Sequence, residues 1–537
     1  MEKKQLLDDT YSVLNKKWKI ACRTLLGKEV GELASFSSWL AENAVPKGRG
    51  ISYISGKPVD FSVGEYCSGA KAVQFGEVEF MAGATPLSIN EIKDLDSLVQ
   101  AIGERAVYAG NVVLGNSKFV EGSSSVIDSF YVLDSNMISE SKHVAYSSIV
   151  KNSENVFGAN LEDYSQFLVR GFDTYKNVRC FEVWSTYLCS DAYYMLRCEN
   201  CHDCMFSFNL LGGRYMVGNL ELPREKYLEI KGKLISELRE TLVKEKRLPS
   251  LMEIVKSSDA TCGTEKKREV VLKGAERIER EDATPMEDAW QKTSEMVFGK
   301  KLLSMDDYGG WLERHVKTAV RERSALSGRK TLCGKFFPFV SFPRERLVTL
   351  EEGLAAGKIL RLTSDETCRM TLHSAHKIIG KIAYFPSHIM LGENFNIIGA
   401  MMGYKAQNCY NGGIFSNTKF SGFSHFARNS DYMWGSTLSY NSNFCINCYN
   451  SNAIARSFEI DSCFNCSSSY FLHNCENVRE SMFCFGVKNR KNCIGNAELD
   501  AATYAKLKCS LCEQMWQEIS AKKCLKWDIY NVGCGKA

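Results

Sequence analysis

The chain has 537 residues, with 67 Lys and Arg against 63 Asp and Glu, so it lies close to neutrality. That balance argues against a dedicated nucleic-acid or anionic-membrane binder, and 45% hydrophobic with 11% aromatic residues excludes wholesale disorder. The 22 cysteines exceed an ordinary share yet fall well short of a small disulfide scaffold.

From Met1 to Trp18 no apolar run precedes a cleavage site, and nowhere do about 18 apolar residues run together. A soluble, cytoplasmic protein with reduced thiols is expected. Leu6 to Glu42 is helical in pattern and makes 1–60 a helical head. Residues 61–222 read as short β-like runs, with no proline from 87 to 222, as expected where strands must donate every backbone N–H. Pro223 then opens a helix over 223–245, with Tyr227, Ile230, Leu234, Leu238 and Leu242 on one stripe. The polar stretch 246–282 is a linker. The order repeats: a helical head over 283–330 (Met286 to Val320), β-like runs over 331–497 with no proline after 386, and a tail over 498–537. In that tail Tyr504, Leu507, Leu511, Met515 and Ile519 form the matching stripe.

The repetition is a duplication. Residues 198–227 align without gaps on 475–504, with identity at Cys198/Cys475, Met205/Met482, Phe208/Phe485, Gly218/Gly495, Asn219/Asn496 and Tyr227/Tyr504, among others. Gly27-Lys28, Trp39-Leu40 and Ser55-Gly56-Lys57 recur as Gly299-Lys300, Trp311-Leu312 and Ser327-Gly328-Arg329. Inside the second copy Asn411, Asn429, Asn447 and Asn465 stand 18 residues apart, while Cys466, Cys475, Cys484 and Cys493 mark steps of nine. Regular columns mean stacked coils, here of 18 residues with half-turns of nine, and of about 22 in the first copy. Asparagines at the bends would bond up and down the stack, and cysteine, small and able to bury, would fill the inside without disulfide or metal. The fold class is mainly β with α: two tandem parallel β-solenoids (β-helices), each with a helical head and an amphipathic tail helix.

The phrase CENCHDCMFSFNLLGGRYMVGNLELPREKYLEI resembles the C-terminal signature of an uncharacterised family of cysteine-rich N-C-x-N-C repeat proteins from uncultured bacteria and their phages. Ser55-Gly56-Lys57-Pro58-Val59 is similar to an upstream phrase of that family, where it lies near paired cysteines resembling a zinc ribbon. Here Cys67 and Cys333 stand alone, so the resemblance implies architecture and no activity.

Several cysteine sets have metal-like spacing. Cys198, Cys201 and Cys204 have an iron-sulfur spacing, but Cys201 and Cys204 become Val478 and Ser481 in the second copy. Cys445/Cys448 and Cys463/Cys466 resemble a four-thiolate zinc set yet fall in the repeat register. Outside the coils, Cys509, Cys512, Cys524 and Cys534 form the candidate metal set, a small zinc knot; otherwise no cofactor is expected. His373 and His376 lack a third ligand nearby, and between Met402 and Asn496 the acids are Asp431, Glu459, Asp461, Glu476 and Glu480, thin for a carbohydrate-cleaving β-helix. No Walker loop, dinucleotide fingerprint or nucleophile elbow occurs. The expectation is a non-enzymatic rigid scaffold or recognition protein with a protein or glycan partner, self-association open, and no nucleic acid or membrane. Tyr432, Tyr440, Tyr449 and Tyr470 are candidate contacts, some of them core instead. The alternatives are a component of a virion or large assembly and a carbohydrate-active enzyme.

Overall fold

A computed structural model describes residues 2–78, 87, 92–259, 261, 265–273 and 282–534. The chain is mixed α/β, with two similar halves each built on a 15-stranded, mostly parallel sheet, consistent with a duplicated β-solenoid. The stacked sheets begin at Val113 and Ile389, against the starts at 61 and 331 read from the sequence, and ahead of the first of them Ala72–Gln74 pairs in parallel with Tyr108–Gly110. The stretches before them hold an antiparallel hairpin and short helices. The hairpins are equivalent, Gly48–Ile51 with Pro58–Phe61 and Ala319–Arg323 with Lys330–Gly334.

After a first coil of 13 residues, Val113 to Val126 and Ile389 to Met402, the coil is 12 residues long in both halves. Ser148 pairs with Asn160 and Val150 with Glu162; Cys445 pairs with Ser457 and Cys448 with Ile460. Within a coil the backbone repeats every three residues: one side chain inward, one outward, one in the left-handed region. Val126, Val132, Ile138 and Val144 are fully buried inside, while Ser125, Asp128, Tyr131 and Asp134 have φ of 56, 47, 58 and 46°. Left-handed φ is unfavourable for L-residues and least so for Asn and Asp. This is why asparagine is periodic: Asn411, Asn429, Asn447 and Asn465 all have positive φ. The 18-residue spacing is six triplets, one and a half coils, so the expected coils of 18 and 22 residues are corrected to 12. Of these, Asn447 is buried and Asn465 is exposed. The amide ladders run at the true period, from Asn417 to Asn429 at 3.1 Å and from Asn465 through Asn477 to Asn489 at 2.7 and 3.0 Å.

The lumen has its own hydrogen-bond logic. Ser129, Ser141 and Ser153 each donate Oγ–H to the carbonyl two residues back, and each Oγ accepts the N–H of the residue 12 ahead. An inward serine thus satisfies itself and the next coil. Cysteine takes the same position: Cys463 Sγ accepts the N–H of Cys475 at 3.3 Å. The nine-residue spacing also has a physical basis, because an inward thiol contacts the carbonyl nine residues ahead, Cys466 to Cys475 at 3.6 Å and Cys475 to Cys484 at 3.4 Å. Cys198, Cys201, Cys204, Cys445, Cys448, Cys463, Cys466, Cys475, Cys484 and Cys493 are all buried inside the stacks.

Each stack closes in the same way. The chain reverses at Gly218-Asn219 and Gly495-Asn496, all four with positive φ, so that Val217 pairs antiparallel with Leu220 and Ile494 with Ala497. The Asn219 amide then pairs with both backbone groups of Phe208 at 2.8 and 3.0 Å, and Asn496 does so with Phe485 at 2.9 and 3.0 Å. These amides stand in for the next strand, which explains the identical residues of the two copies.

Among the described residues seven longer helices flank the stacks: α1 (Glu2–Leu26), α2 (Leu95–Gly103), α3 (Arg224–Glu245), α4 (Glu265–Lys273), α5 (Thr284–Phe298), α6 (Leu350–Ile359) and α7 (Ala501–Lys522). The stripe of α3 is buried in full; on α7, Tyr504, Leu511, Met515 and Ile519 are buried. Helices α1 and α5 lie along the first and second stacks respectively.

The helical heads stay on their own stacks, but the segments that follow them, from the hairpins to the first coils, are exchanged between the copies. The segment from Leu326 to Phe385 packs in one apolar cluster with the first stack, and the described residues between Val59 and Tyr108 pack with the second. Leu362 N–H bonds to Gly218 at 2.9 Å, and Asn209 to the Tyr384 carbonyl at 2.7 Å. Reciprocally, Ala109 N–H bonds to His473 at 3.2 Å and the Tyr66 hydroxyl to Asp461 at 2.9 Å. A Cβ on Gly218 would lie 2.4 Å from Leu362, which fixes glycine there. Where the stacks meet, Arg428 pairs with Asp163 at 2.9 Å.

Candidate functional site

Two clefts occupy corresponding places, where the strand leading into each hairpin crosses the first coils. The first, of about 340 Å³, is lined by Ser37, Lys47, Arg49, Asp134, Asn136 and Tyr146 among others. The second, of about 180 Å³, is lined by Glu313, Thr318, Ala319, Arg321, Gly399 and Asn411 among others. Arg49 and Arg321 correspond, as do Lys47 and Ala319, and Asp134 and Asn411. In the first cleft Lys47 bridges Asp134 at 2.9 Å and the Gly122 carbonyl, and Arg49 lies 3.7 Å from Asp60. The cations are therefore matched by acids, and the cleft is polar without a strong field. The Asn136 side-chain amide oxygen, Oδ1, is buried and has no hydrogen-bond partner among the described residues. The cleft thus retains an acceptor for a ligand donor.

A second concentration of chemistry lies between the copies near the C-terminus. His315 bonds Glu65 at 2.7 Å and Asp528 at 3.0 Å; Asp528 also takes Arg314 at 3.2 Å. Glu459 accepts the Asn447 amide at 2.8 Å and the Ile529 N–H at 2.9 Å. Burial raises Glu459, as does the Asp528 charge, and the Ile529 and Asn447 bonds offset this in part, leaving it at about 8. Burial pulls His315 down, but its bonds to Asp528 and Glu65 outweigh that and bring it up to about 9. Burial would raise Asp528, yet His315 and Arg314 hold it below its ordinary value. Tyr449 and Tyr530 pack against His315 and against each other, tilted at 43° with centroids 5.2 Å apart. It is a partly buried electrostatic joint, with Glu459 and Asp528 inside and Glu65 and Arg314 at the surface.

The four cysteines of the candidate zinc knot have separate places. Cys509 is exposed on α7, Cys512 is buried with its thiol pushed up to about 11, chiefly by burial, and Cys524 is half-buried. Cys534 forms a disulfide with Cys67. This corrects both the assignment of Cys534 as a thiolate ligand and the expectation of a chain without disulfides. Among the described residues no group of three or more His, Cys, Asp or Glu is arranged to hold a metal ion. His373 and His376 lie 6.2 Å apart between ring centroids at the surface. Of the four candidate contact tyrosines, Tyr449 and Tyr470 are buried, and Tyr432 and Tyr440 are half-buried.

Sequence reasoning missed the clefts because their walls come from segments about 90 residues apart. The repeated Trp39/Trp311 and Ser55/Ser327 phrases that flank both clefts were the available signal. No described helix is long and apolar enough to cross a membrane. The chain matches no family model, no curated protein and no solved structure.

Proposed function

We propose that each copy is a unit of helical head, stacked coils and tail helix, and that the duplicated unit is a non-enzymatic scaffold presenting two equivalent recognition clefts. The observation that carries this reading is the correspondence of the clefts: both lie between hairpin and first coils, each beside a retained arginine, Arg49 or Arg321. Rigidity supports it, since inward residues such as Ser129, Ser141, Ser153 and Cys463 tie one coil to the next and the two copies clasp each other. The ligand chemistry suited to the first cleft is a neutral, hydroxyl- or amide-bearing group, because Asn136 offers an acceptor and the cations are already paired. A glycan or a polar peptide loop has these groups. The test is a glycan and peptide array probed with the full chain, followed by titration of any hit against Arg49→Ala and Arg321→Ala. Loss of one of two sites in each variant supports the reading; a hit whose stoichiometry neither variant changes refutes it.

A further inference from the structure

The two hairpin loops have one conformation and different surroundings. In the first, Ser52 N–H bonds to the Lys57 carbonyl at 2.8 Å and Gly56 N–H to the Ser52 carbonyl at 2.9 Å; in the second, Ser324 and Arg329, and Gly328 and Ser324, make the same bonds at the same lengths. Ser52 Oγ bonds Glu77, and Ser324 Oγ bonds Glu352, each glutamate closing a helical capping box. Position by position, Ile54 therefore corresponds to Leu326, Tyr53 to Ala325 and Ile51 to Arg323.

Leu326 is 3% exposed. Helix α4 covers this loop: the Arg268 guanidinium bonds the Leu326 carbonyl at 2.8 Å, and Val271, one turn on, is 1% exposed in the same apolar cluster as Leu326. The helix rests on α6 as well. At the first loop Ile51, Tyr53 and Ile54 are 68, 62 and 45% exposed. Three large apolar side chains side by side on a rigid loop are an unusual surface for a chain this polar elsewhere. None of them lines either cleft.

We infer that the first hairpin loop, through Ile51, Tyr53 and Ile54, is a docking site for an amphipathic helix of a partner protein. The internal copy supplies the template for the occupant. The partner helix carries an arginine that reaches the Ile54 carbonyl and, three and four residues later, an aliphatic pair, as Arg268 precedes Val271 and Leu272. The larger apolar side chains of the first loop, against Arg323 and Ala325 in the second, suit it to a helix bound in trans, where no covalent linkage assists.

The probe is a labelled peptide of residues 261–281 of this chain, titrated into the full-length protein, whose second loop already holds its own helix. Saturable 1:1 binding is expected, with hydrogen-exchange protection appearing at residues 50–57. Tyr53→Ser with Ile54→Ser should weaken binding at least about tenfold, as should an Arg268→Ala peptide, about 1.4 kcal/mol by the affinity relation. Both protein substitutions are at exposed positions, and an unchanged melting curve verifies the fold. Absence of saturable binding, binding undiminished in the double variant, or full protection of 50–57 before peptide is added would each overturn the proposal.

Discussion

Glu182 and Glu459 hold the same coil position in the two copies, and each accepts a backbone N–H from the segment after its tail helix, Leu251 or Ile529, at 2.9 Å. Their neighbours differ. Glu182 is bonded by Arg170 at 2.7 Å, whereas the corresponding residue facing Glu459 is Asn447. One copy thus has a buried ion pair and the other a buried acid with a neutral partner. This difference has a pH consequence.

Glu459 is raised from an ordinary 4.5 to about 8 and His315 from 6.5 to about 9. Between each pair of values the folded state holds a proton that the unfolded chain releases. Their stabilisation is therefore full below the unfolded value and lost as pH rises through the folded one. His388 and His425, held down chiefly by burial to about 4 and 3, act in the opposite sense below about pH 6.5, so the effect is read as a difference: the wild-type urea midpoint should drop relative to that of Glu459→Gln as pH rises from about 5 to 8. Asn447→Leu should cost about 1 to 3 kcal/mol by removing the amide donor. A wild-type midpoint that holds or rises relative to the variant over this range would contradict the assignment.

Ser141 is an inward rung whose oxygen serves both Ser139 and Ser153. Ser141→Ala should cost about 1 to 3 kcal/mol, because the Ser153 N–H is left unsatisfied in a dry lumen. Ser141→Cys should cost less, as Cys463 shows a thiol accepting the equivalent N–H. Chemical denaturation of the two variants measures the difference, and equal losses would mean the bond contributes little.

Inward thiols should be inert to an alkylating reagent in the native state and react on unfolding, with exposed Cys509 modified first. Cys448→Ala with Cys466→Ala should lose packing energy and leave the metal content unchanged. Zinc at one equivalent per chain, released by this pair of substitutions, would place a metal in the stack. Zinc released only by Cys509→Ala or Cys512→Ala would place it on α7.

Alkylation under denaturing, non-reducing conditions should spare Cys67 and Cys534. Cys67→Ser should lower stability by about 2 to 4 kcal/mol, since the bond closes nearly the whole chain into a loop. Mass spectrometry of peptides with and without reductant checks the linkage, and alkylation of either residue before reduction would refute it.

Leu362 belongs to the second copy by sequence and packs on the end of the first stack. Leu362→Ala should cost about 2 to 5 kcal/mol. Hydrogen exchange should rise at residues 205–220 rather than in 482–497. The reverse pattern would exclude the exchanged packing.

The duplication, the tail-helix stripes and the inward placement of cysteine were legible in the sequence because each is a local pattern repeated often enough to stand out. The period was misread because asparagine marks the left-handed position of a triplet. Multiples of three are frequent in the sequence, and 12 is singled out only when strands pair. Serine rungs were overlooked for a related reason: an isolated serine looks like a surface residue until its Oγ is placed under the N–H of the next coil. The Gly-Asn turns were visible as identities, but their role as closing amides required the Phe208 and Phe485 backbones beside them. Which copy covers which stack, the Cys67–Cys534 bond and the ionised joint around His315 depend on contacts hundreds of residues apart. Those contacts are selected by the shape and charge of assembled surfaces, which no local pattern encodes, and tertiary structure alone decided them.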